Sequence, residues 1–438
     1  MLLWLAFRRI TDRVVTPGAV TGQNRIDVDS EPNLSTRIDN FGRLIPRTTP
    51  IANLRAVSVP PGPCAESMLG VLTGVLNGRD AALVPIPAGN LRESELLSTS
   101  LRIGEPIDDD IALVVATSGT MGAPKGAMLT PAALIAGATA THDRLGGPGS
   151  WLLALPTYHI AGIQVLVRSL ESGTVPVEID VSHGFDPSAV PRAIAAMGPG
   201  RHYASMVSNQ LAKAMEDPSA TDALRELDAV LVGGGPVPVS VIDNAAAAGI
   251  TLVRTYGSSE TAGGCVYDGH PLTGVHLRLE EPNTDGVGRI SIGGATLASG
   301  YRNPTAPDPF AEPGWFRTDD LGSLDSTGKL TVLGRADEAI STGGLTVLPG
   351  PVEQALCTHP AISECAVFAV DDNRLGQRVV AAVVLIAGAT PPGTEELREV
   401  VSRTLNATAA PREIHVVADI PRRAMGKVDR RALIRRFS

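Results

Sequence analysis

The chain has 438 residues, of which 43% are hydrophobic and 19% charged, and its formal net charge is −9. This length allows two or three domains, and the composition favours a packed globular protein over a disordered one. The acidic balance argues against a general nucleic-acid binder. No apolar run approaches the roughly 20 residues of a membrane span. The four cysteines lack metal-ligand spacing, so we expect free thiols in a cytoplasmic protein.

The first fifty residues differ in character from the rest. They are polar and rich in turn formers, and little periodicity follows Phe7. The apolar run at residues 2–7 is too short for a signal-peptide core, and its arginines follow it instead of preceding it. We therefore predict that residues 1–50 are a loosely ordered extension.

From residue 54 onward, predicted strands and helices alternate. Periodicity and turn residues predict strands at 81–86, 111–116, 151–155, 175–179, 203–207, 229–232 and 251–255. Helices are predicted at 67–76, 130–145, 187–197 and 239–248. Two more are predicted after residue 162, ending at residue 170, and after the strand at 203–207, ending at residue 215. This alternation predicts a layered α/β domain with a largely parallel sheet. Ligands bind such sheets at the edge where the strands end.

After residue 264 the pattern changes to short strands separated by turns, at 288–292, 314–318 and 329–333, which predicts a β-rich subdomain. Residues 334–337 look like a junction. Beyond them, strands at 364–370, 378–386 and 413–417 and helices at 394–405 and 430–437 predict a small α+β domain. We predict domains at residues 51–335 and 336–438.

The most informative stretch is a loop of small, hydroxylated and glycine residues after the strand at 111–116. It reads Thr117, Ser118, Gly119, Thr120, Met121, Gly122, Ala123, Pro124, Lys125, Gly126. Backbone N–H groups, hydroxyls and a lysine in such a loop bind phosphate oxygens. The loop is not a Walker A motif, because proline precedes its lysine and glycine follows it. A flexible surface loop is the alternative interpretation.

Five separated stretches, in one order, resemble motifs of the adenylate-forming superfamily of acyl-CoA ligases, luciferases and peptide-synthetase adenylation domains. They are residues 117–126, 256–261, 315–321, 334–337 and 421–430. Within the superfamily, the chain resembles most the short o-succinylbenzoate–CoA ligases of menaquinone synthesis, from about residue 54 to the end. Segments 155–162, 259–269 and 340–347 carry this closer resemblance.

The resemblance implies an ATP-dependent ligase that joins a carboxylate to AMP and then transfers the acyl group to CoA. Mg²⁺ is the implied metal and an aryl acid the implied substrate, with no nucleic-acid partner; a homodimer stays open. The implied fold is a large N-terminal α/β domain with a β-rich subdomain, followed by a small mobile C-terminal α+β domain. A CoA ligase for another aryl or fatty acid, or a weakly active nucleotide-binding relative, is the alternative.

The resemblance also assigns roles to residues. Lys427 would lie between the substrate carboxylate and the α-phosphate, Glu260 would bind Mg²⁺, and His159 would face the acyl pocket. Asp337 would be the hinge of the C-terminal domain. The implied nucleotide- and CoA-binding residues are Thr117, Ser118, Gly119, Thr120, Gly122, Lys125, Gly234, Gly235, Tyr256, Gly257, Asp320, Arg335, Gly343 and Gly344.

Among these, Asp320 would accept the ribose hydroxyls with help from Arg335, and Tyr256 would stack on adenine. An aspartate in a turn is the alternative for Asp320. Gln164 and Arg168 lie one helical turn apart, and either could hold the aromatic carboxylate. A surface arginine is the favoured interpretation of Arg168, and His159 is equally compatible with a structural role.

The chain departs from the superfamily pattern at several positions. Met121 stands where a second threonine is usual, which removes one hydroxyl from the phosphate loop. Asp319 replaces the usual glycine before the ribose aspartate. The commoner lysine, arginine and glutamate of the motif after the hinge are replaced by Ser341, Thr346 and Pro351. CoA contacts in that motif therefore cannot be carried over.

Overall fold

The computed structural model describes residues 36–38, 44–46, 52–117, 124–422 and 428–438. Strands β1 (Thr36–Ile38) and β2 (Leu44–Pro46) pair antiparallel, and the rest of the predicted extension at residues 1–50 lies outside the described residues. No helix in the described part of the chain is long and apolar enough to cross a membrane.

The first sheet of the main body leads into the phosphate-loop candidate. Its parallel strands are β3 (Arg55–Val59), β4 (Leu83–Pro87) and β5 (Leu113–Thr117), and β6 (Lys125–Leu129) runs antiparallel beside β5. Helices α1 (Ala65–Leu76) and α2 (Leu91–Ser100) connect the parallel strands. Because β5 ends at Thr117 and β6 begins at Lys125, the loop candidate joins two neighbouring strands.

The central sheet confirms the largely parallel α/β arrangement. In the described residues its order is β13–β12–β11–β10–β9–β7–β8. The strands are β7 (Ser150–Leu153), β8 (Val177–Glu178), β9 (His202–Val207), β10 (Ala229–Gly233), β11 (Leu252–Ser258), β12 (Gly263–Tyr267) and β13 (His270–Pro271). The neighbouring strands β8–β7, β7–β9, β9–β10 and β10–β11 pair in parallel. Strand β12 pairs antiparallel with β11, and β13 pairs antiparallel with β12.

Helices cover both faces of this sheet. They are α3 (Pro131–Leu145), α4 (Ile160–Ser172), α5 (Val190–Ala195), α6 (Ser208–Met215), α7 (Pro218–Leu224) and α8 (Val239–Ala248). Consecutive strand side chains point to opposite faces, so Trp151 and Leu153 join one apolar cluster while Leu152 joins the other. Both faces of the sheet are therefore covered by apolar side chains, as is typical of parallel sheets. Thr130 starts α3 as predicted, since its side chain accepts a hydrogen bond from Ala133 N at 3.1 Å.

The predicted β-rich subdomain is an antiparallel sheet. Its strands are β14 (Val275–Glu280), β15 (Val287–Gly294), β16 (Trp315–Leu324) and β17 (Leu330–Arg335). Strand β16 continues well past the predicted end at residue 318. Asp320 therefore lies within a strand, opposite Arg335, and the turn interpretation of this aspartate is wrong.

The C-terminal part has its own sheet and apolar core. The elements are β18 (Ile340–Thr342), β19 (Leu345–Val347), α9 (Pro349–Leu356), β20 (Ile362–Asp372), β21 (Gly376–Leu385), α10 (Thr394–Thr404), β22 (Glu413–Val416) and α11 (Arg430–Phe437). Buried Val352, Val367, Ala381 and Leu397 belong to one cluster between the sheet and its helices. The domain boundary at residues 335 and 336 stays a prediction.

Two predicted elements are shorter than expected. The helix predicted at 187–197 is a 3₁₀ turn, Pro187–Ala189, followed by the short α5. Pro191 explains the break, because it lacks the N–H that a helix starting at residue 187 would need there. The strand predicted at 175–179 is reduced to β8. Sequence patterns also missed α2, α7 and α9.

Candidate active site

The described end of the phosphate-loop candidate is held by a residue from a distant segment. Asn303 accepts a hydrogen bond from Gly126 N at 3.0 Å and donates one to Pro124 O at 2.7 Å. A side chain at Gly126 would collide with Val114 and Leu101, so glycine is required there. Outside the described residues lie Ser118, Gly119, Thr120, Met121, Gly122 and Lys427.

Tyr301 links the lysine of this loop to the predicted metal ligand. Its hydroxyl donates to Glu260 Oε1 at 2.6 Å, and Lys125 Nζ lies 5.1 Å from the centre of its ring. Burial, followed by the neighbouring Glu260 carboxylate, raises the pKa of Tyr301. The tyrosine therefore stays protonated and keeps donating. The structure thus brings together two predicted site residues that are far apart in the sequence.

Glu260 lies where β11 ends, in the 3₁₀ turn Ser259–Thr261. It is 7% exposed, and its carbonyl accepts a hydrogen bond from Ala298 N at 2.8 Å. The described residues contain no cluster of three or more protein metal ligands. A single carboxylate suits Mg²⁺, which takes its remaining ligands from phosphate oxygens and water. This environment fits the predicted role, which stays a prediction.

Tyr256 and Asp320, from two separate motifs, meet directly. The tyrosine hydroxyl donates to Asp320 Oδ2 at 2.7 Å, and the aspartate N–H donates to Thr318 Oγ1 at 3.0 Å. Burial, followed by the charge of Asp320, raises the pKa of Tyr256 well above its ordinary value. A carboxylate has several acceptor positions, which suits the hydroxyls of a ribose diol; the ribose role of Asp320 stays a prediction. Stacking of Tyr256 on adenine stays a prediction.

The predicted hinge residue forms an ion pair with the predicted ribose-assisting arginine. Arg335 donates to both carboxylate oxygens of Asp337, from Nε at 2.7 Å and from Nη2 at 2.9 Å. Its Nη2 also donates to Asp319 Oδ2 at 3.2 Å, and Arg289 Nη1 donates to Asp319 Oδ1 at 3.2 Å. Asp319, a departure from the superfamily pattern, is therefore part of the same charge network as Asp337, whose hinge role stays a prediction.

Glycines near the strand ends have identifiable structural reasons. Gly234 has φ +84, which favours glycine. A side chain at Gly233 would collide with Thr255, and one at Gly257 would collide with Gly263 O. Close backbone approach thus explains Gly257, while the predicted adenine contacts of Gly234 and Gly235 stay predictions.

On the predicted acyl side, His159 precedes α4, and its ring packs against Tyr158 with centroids 4.6 Å apart. Arg168 is only 3% exposed, so its interpretation as a surface arginine is wrong. Its guanidinium lies 4.8 Å from the Trp151 ring, and Nη2 donates to Tyr267 Oη at 3.4 Å. These partners place Arg168 in the aromatic core rather than in contact with the predicted nucleotide residues.

Gln164 is also buried, one turn before Arg168 on the same helix. Its side-chain N–H group donates to Ala262 O at 2.7 Å and to Leu134 O at 3.3 Å. Both amide hydrogens are thus engaged by the backbone. They are not available for a substrate carboxylate, which needs donors.

The predicted CoA-side glycines form the turn between β18 and β19. Gly343 has φ +59 and Gly344 has φ +81, conformations that favour glycine. Gly343 N donates to Leu375 O at 3.0 Å. A border of the pantetheine channel stays a prediction for both.

The structure adds three residues that sequence patterns did not indicate: Tyr301, Arg302 and Asn303. Arg302 is 7% exposed and donates to backbone carbonyls, including Pro106 O at 2.8 Å. In the sequence this stretch resembles an ordinary turn before Pro304. The hydrogen-bond partners of these three side chains lie between 41 and 201 residues earlier in the chain, so no local signal reveals them.

Comparison with known protein families shows the class of enzyme to which this fold belongs. The chain belongs to the AMP-binding enzyme family, whose model matches residues 76–302, and the model of the AMP-binding enzyme C-terminal domain matches residues 351–427. This agrees with the superfamily motifs in the sequence.

Within the family, the chain is similar to 2-succinylbenzoate–CoA ligases. It is 64% identical, over 387 residues, to the "Probable 2-succinylbenzoate–CoA ligase" of Mycobacterium tuberculosis H37Rv, covering 88% of this chain and 99% of that protein. It is 32% identical to the 2-succinylbenzoate–CoA ligase of Bacillus licheniformis, covering 74% and 70%. The solved o-succinylbenzoate CoA synthetase of Bacillus subtilis, in complex with the acyl-adenylate intermediate OSB-AMP, superposes with TM-score 0.72 at 25% identity, covering 87% and 88%.

Proposed function

We propose that the chain is an ATP-dependent 2-succinylbenzoate–CoA ligase that acts in menaquinone synthesis. The 64% identity to a relative of that name, over 99% of the relative's length, carries the proposal. The site geometry supports it, because Tyr301 lies between the buried Glu260, which follows β11, and Lys125 at the start of β6, and Tyr256 of β11 binds Asp320.

The proposed reaction has two steps. In the first, a substrate carboxylate oxygen attacks the α-phosphorus of ATP, the bond to the pyrophosphate oxygen breaks, and acyl-AMP forms. In the second, the CoA sulfur attacks the acyl carbon, AMP leaves with the bonding electrons, and the thiol proton is released. The first step brings several anions together, so charge neutralisation and positioning dominate the demands on the protein.

Different residues would neutralise charge, bind the metal and position the substrates. Lys125 would supply positive charge beside the phosphates, and Asp320 would accept hydrogen bonds from the ribose hydroxyls through its carboxylate oxygens. Glu260 would hold Mg²⁺, which when bound neutralises phosphate charge. Lys427 would neutralise charge between the substrate carboxylate and the α-phosphate during adenylation. The turn at residues 343–344 would border the path of CoA.

We also propose a cytoplasmic location and leave self-association to experiment. All four cysteines are free thiols, and the sulfurs of Cys357 and Cys365 lie 3.3 Å apart without a bond. Reduced cysteines are typical of a reducing compartment, where ATP and CoA are also found. Light scattering coupled to size-exclusion chromatography decides between monomer and homodimer.

The test is a substrate panel with the purified full chain, ATP, Mg²⁺ and CoA. We expect pyrophosphate release and a CoA thioester, identified by mass spectrometry, with 2-succinylbenzoate. Simple benzoates and fatty acids are the comparison acids. Faster turnover with a fatty acid would refute the proposed acid, and ATP binding without turnover of any acid would favour a weakly active nucleotide-binding relative.

A further inference from the structure

The residue two positions after Glu260 has an unusual backbone conformation. Ala262 has φ 51 and ψ 32, in the left-handed region. Residues with a Cβ rarely adopt this conformation, so surrounding contacts must hold it. Within the turn, Thr261 Oγ1 accepts a hydrogen bond from Ser258 N at 2.9 Å and donates to Gly263 O at 2.8 Å. These local bonds close the turn but leave the Ala262 carbonyl to be bound from outside.

Gln164 binds that carbonyl from the core. The side chain is 1% exposed and donates at 2.7 Å to Ala262 O and at 3.3 Å to Leu134 O. It therefore ties the turn after β11 to helices α3 and α4. Two glycines leave room for it: a Cβ on Gly137 would lie 3.3 Å from Gln164 Nε2, and one on Gly263 would lie 3.1 Å from its Cγ.

The carbonyl oxygen of the Gln164 amide shows that the donor groups of this side chain, and not its acceptor, make the important contacts. Its Oε1 atom is buried and accepts no hydrogen bond from the residues that the structure describes. A buried acceptor without a partner is costly and rare. The two carbonyls fix the amide with its donors toward the turn, so the donor function explains why glutamine rather than an apolar residue occupies this site.

We propose that Gln164 is a positioning residue that presents Glu260 to Mg²⁺ by holding the left-handed turn at Ala262. Tyr301 holds the Glu260 carboxylate, and Gln164 holds the backbone from which that side chain projects. The inference rests on the proposed function only in that Glu260 binds the metal of Mg²⁺–ATP; it does not depend on the acid used.

The test measures metal–nucleotide binding without any acid. Gln164→Leu removes both donors at similar volume, and Gln164→Asn shortens the side chain so that it no longer reaches Ala262 O. Mn²⁺ serves as a paramagnetic substitute for Mg²⁺. Groups that orient metal ligands typically change metal affinity by about 10-fold or more, and we expect both variants to weaken Mn²⁺–ATP binding by this amount. Isothermal titration calorimetry and electron paramagnetic resonance of Mn²⁺ measure the affinity. Binding of ATP without metal should change by about twofold or less, because only the metal ligand is displaced.

Two further variants separate positioning from general packing. Ser169→Ala deletes another buried polar group of α4 and should leave Mn²⁺–ATP binding unchanged. Glycine adopts the left-handed conformation without strain, so Ala262→Gly added to Gln164→Leu should restore the affinity to within about threefold of the wild type. Unchanged Mn²⁺–ATP binding in a folded Gln164 variant, an equal loss for ATP alone, or no recovery with Ala262→Gly would overturn the proposal. Failure of the acid panel alone would leave these results intact.

Discussion

The hydroxyl of Tyr301 offers a direct test of the site geometry. Tyr301→Phe removes the hydrogen bond of 2.6 Å to Glu260 Oε1. The ring is kept, and with it the contact with Lys125 Nζ at 5.1 Å and the edge contact with Phe310 at 5.4 Å. The substitution therefore changes the orientation of one carboxylate and little else.

The size of the effect follows from the charge of the acceptor. A hydrogen bond to a charged group contributes about 1.5–3 kcal/mol, and about 1.4 kcal/mol corresponds to a factor of 10 in rate. If Glu260 binds Mg²⁺ in the adenylation transition state, we expect kcat/KM for Mg²⁺–ATP to fall roughly 10- to 100-fold in Tyr301→Phe. Raising the Mg²⁺ concentration should recover part of the loss, since the carboxylate itself remains.

The assay is pyrophosphate release at saturating 2-succinylbenzoate, with Mg²⁺ and ATP varied separately. Tyr267→Phe is the matched control, because its buried hydroxyl contacts Thr141 Oγ1 at 2.9 Å and Arg168 at 3.4 Å instead of a site carboxylate. It should lower the free energy of unfolding and leave the Mg²⁺ dependence unchanged. An unaltered kcat/KM in Tyr301→Phe, or an equal loss in both variants, would refute the reasoning.

Four other substitutions test three predicted site roles and the pH dependence of stability. Lys427→Ala should abolish pyrophosphate release while transfer of added acyl-AMP to CoA continues; equal loss of both half-reactions would refute the assignment. Met121→Thr should leave activity unchanged or lower KM for ATP, and a large loss would mean that the methionine packs specifically. Asp319→Gly removes one exposed partner of the hinge network. Exposed ion pairs of this kind contribute about 1 kcal/mol or less. If the pair restrains the predicted hinge, its loss should raise the rate of thioester formation from added acyl-AMP by at most about fivefold and leave adenylation unchanged. Burial raises the pKa of Glu178, so its contribution to stability declines as pH rises through that pKa. The unfolding free energy of the wild type minus that of Glu178→Gln should therefore fall as pH rises above the ordinary glutamate pKa of about 4.3 in chemical denaturation, and a rise would contradict it.

Sequence patterns were most informative where structure is local. Short apolar runs identified β7, β9 and β10, since these strands are largely buried on both faces of the sheet. The helix start at Thr130 was equally clear, because a capping side chain and Pro131 both act within one turn. The order of the motifs then identified the superfamily without knowledge of any long-range contact.

Arg168 shows why burial could not be predicted in the same way. Polar residues at 164 and 168 give α4 an apparent solvent face, as in an amphipathic helix. In the structure, α4 packs against α1, α3 and β7, and both side chains are buried. A charged residue is tolerated there because its guanidinium stacks on Trp151. That partner comes from tertiary packing, which spacing along one helix does not reveal.

The contacts of the two predicted ATP-binding carboxylates share one chemical feature. Glu260 receives a hydrogen bond from Tyr301, and Asp320 receives one from Tyr256. A lysine or arginine in either place would also orient the carboxylate, but its charge would compete with Mg²⁺ or neutralise the acceptor that a ribose diol needs. A tyrosine hydroxyl orients without neutralising, provided that it stays protonated. Burial raises the pKa of both tyrosines, so each remains a neutral donor that orients its carboxylate without adding a positive charge beside it.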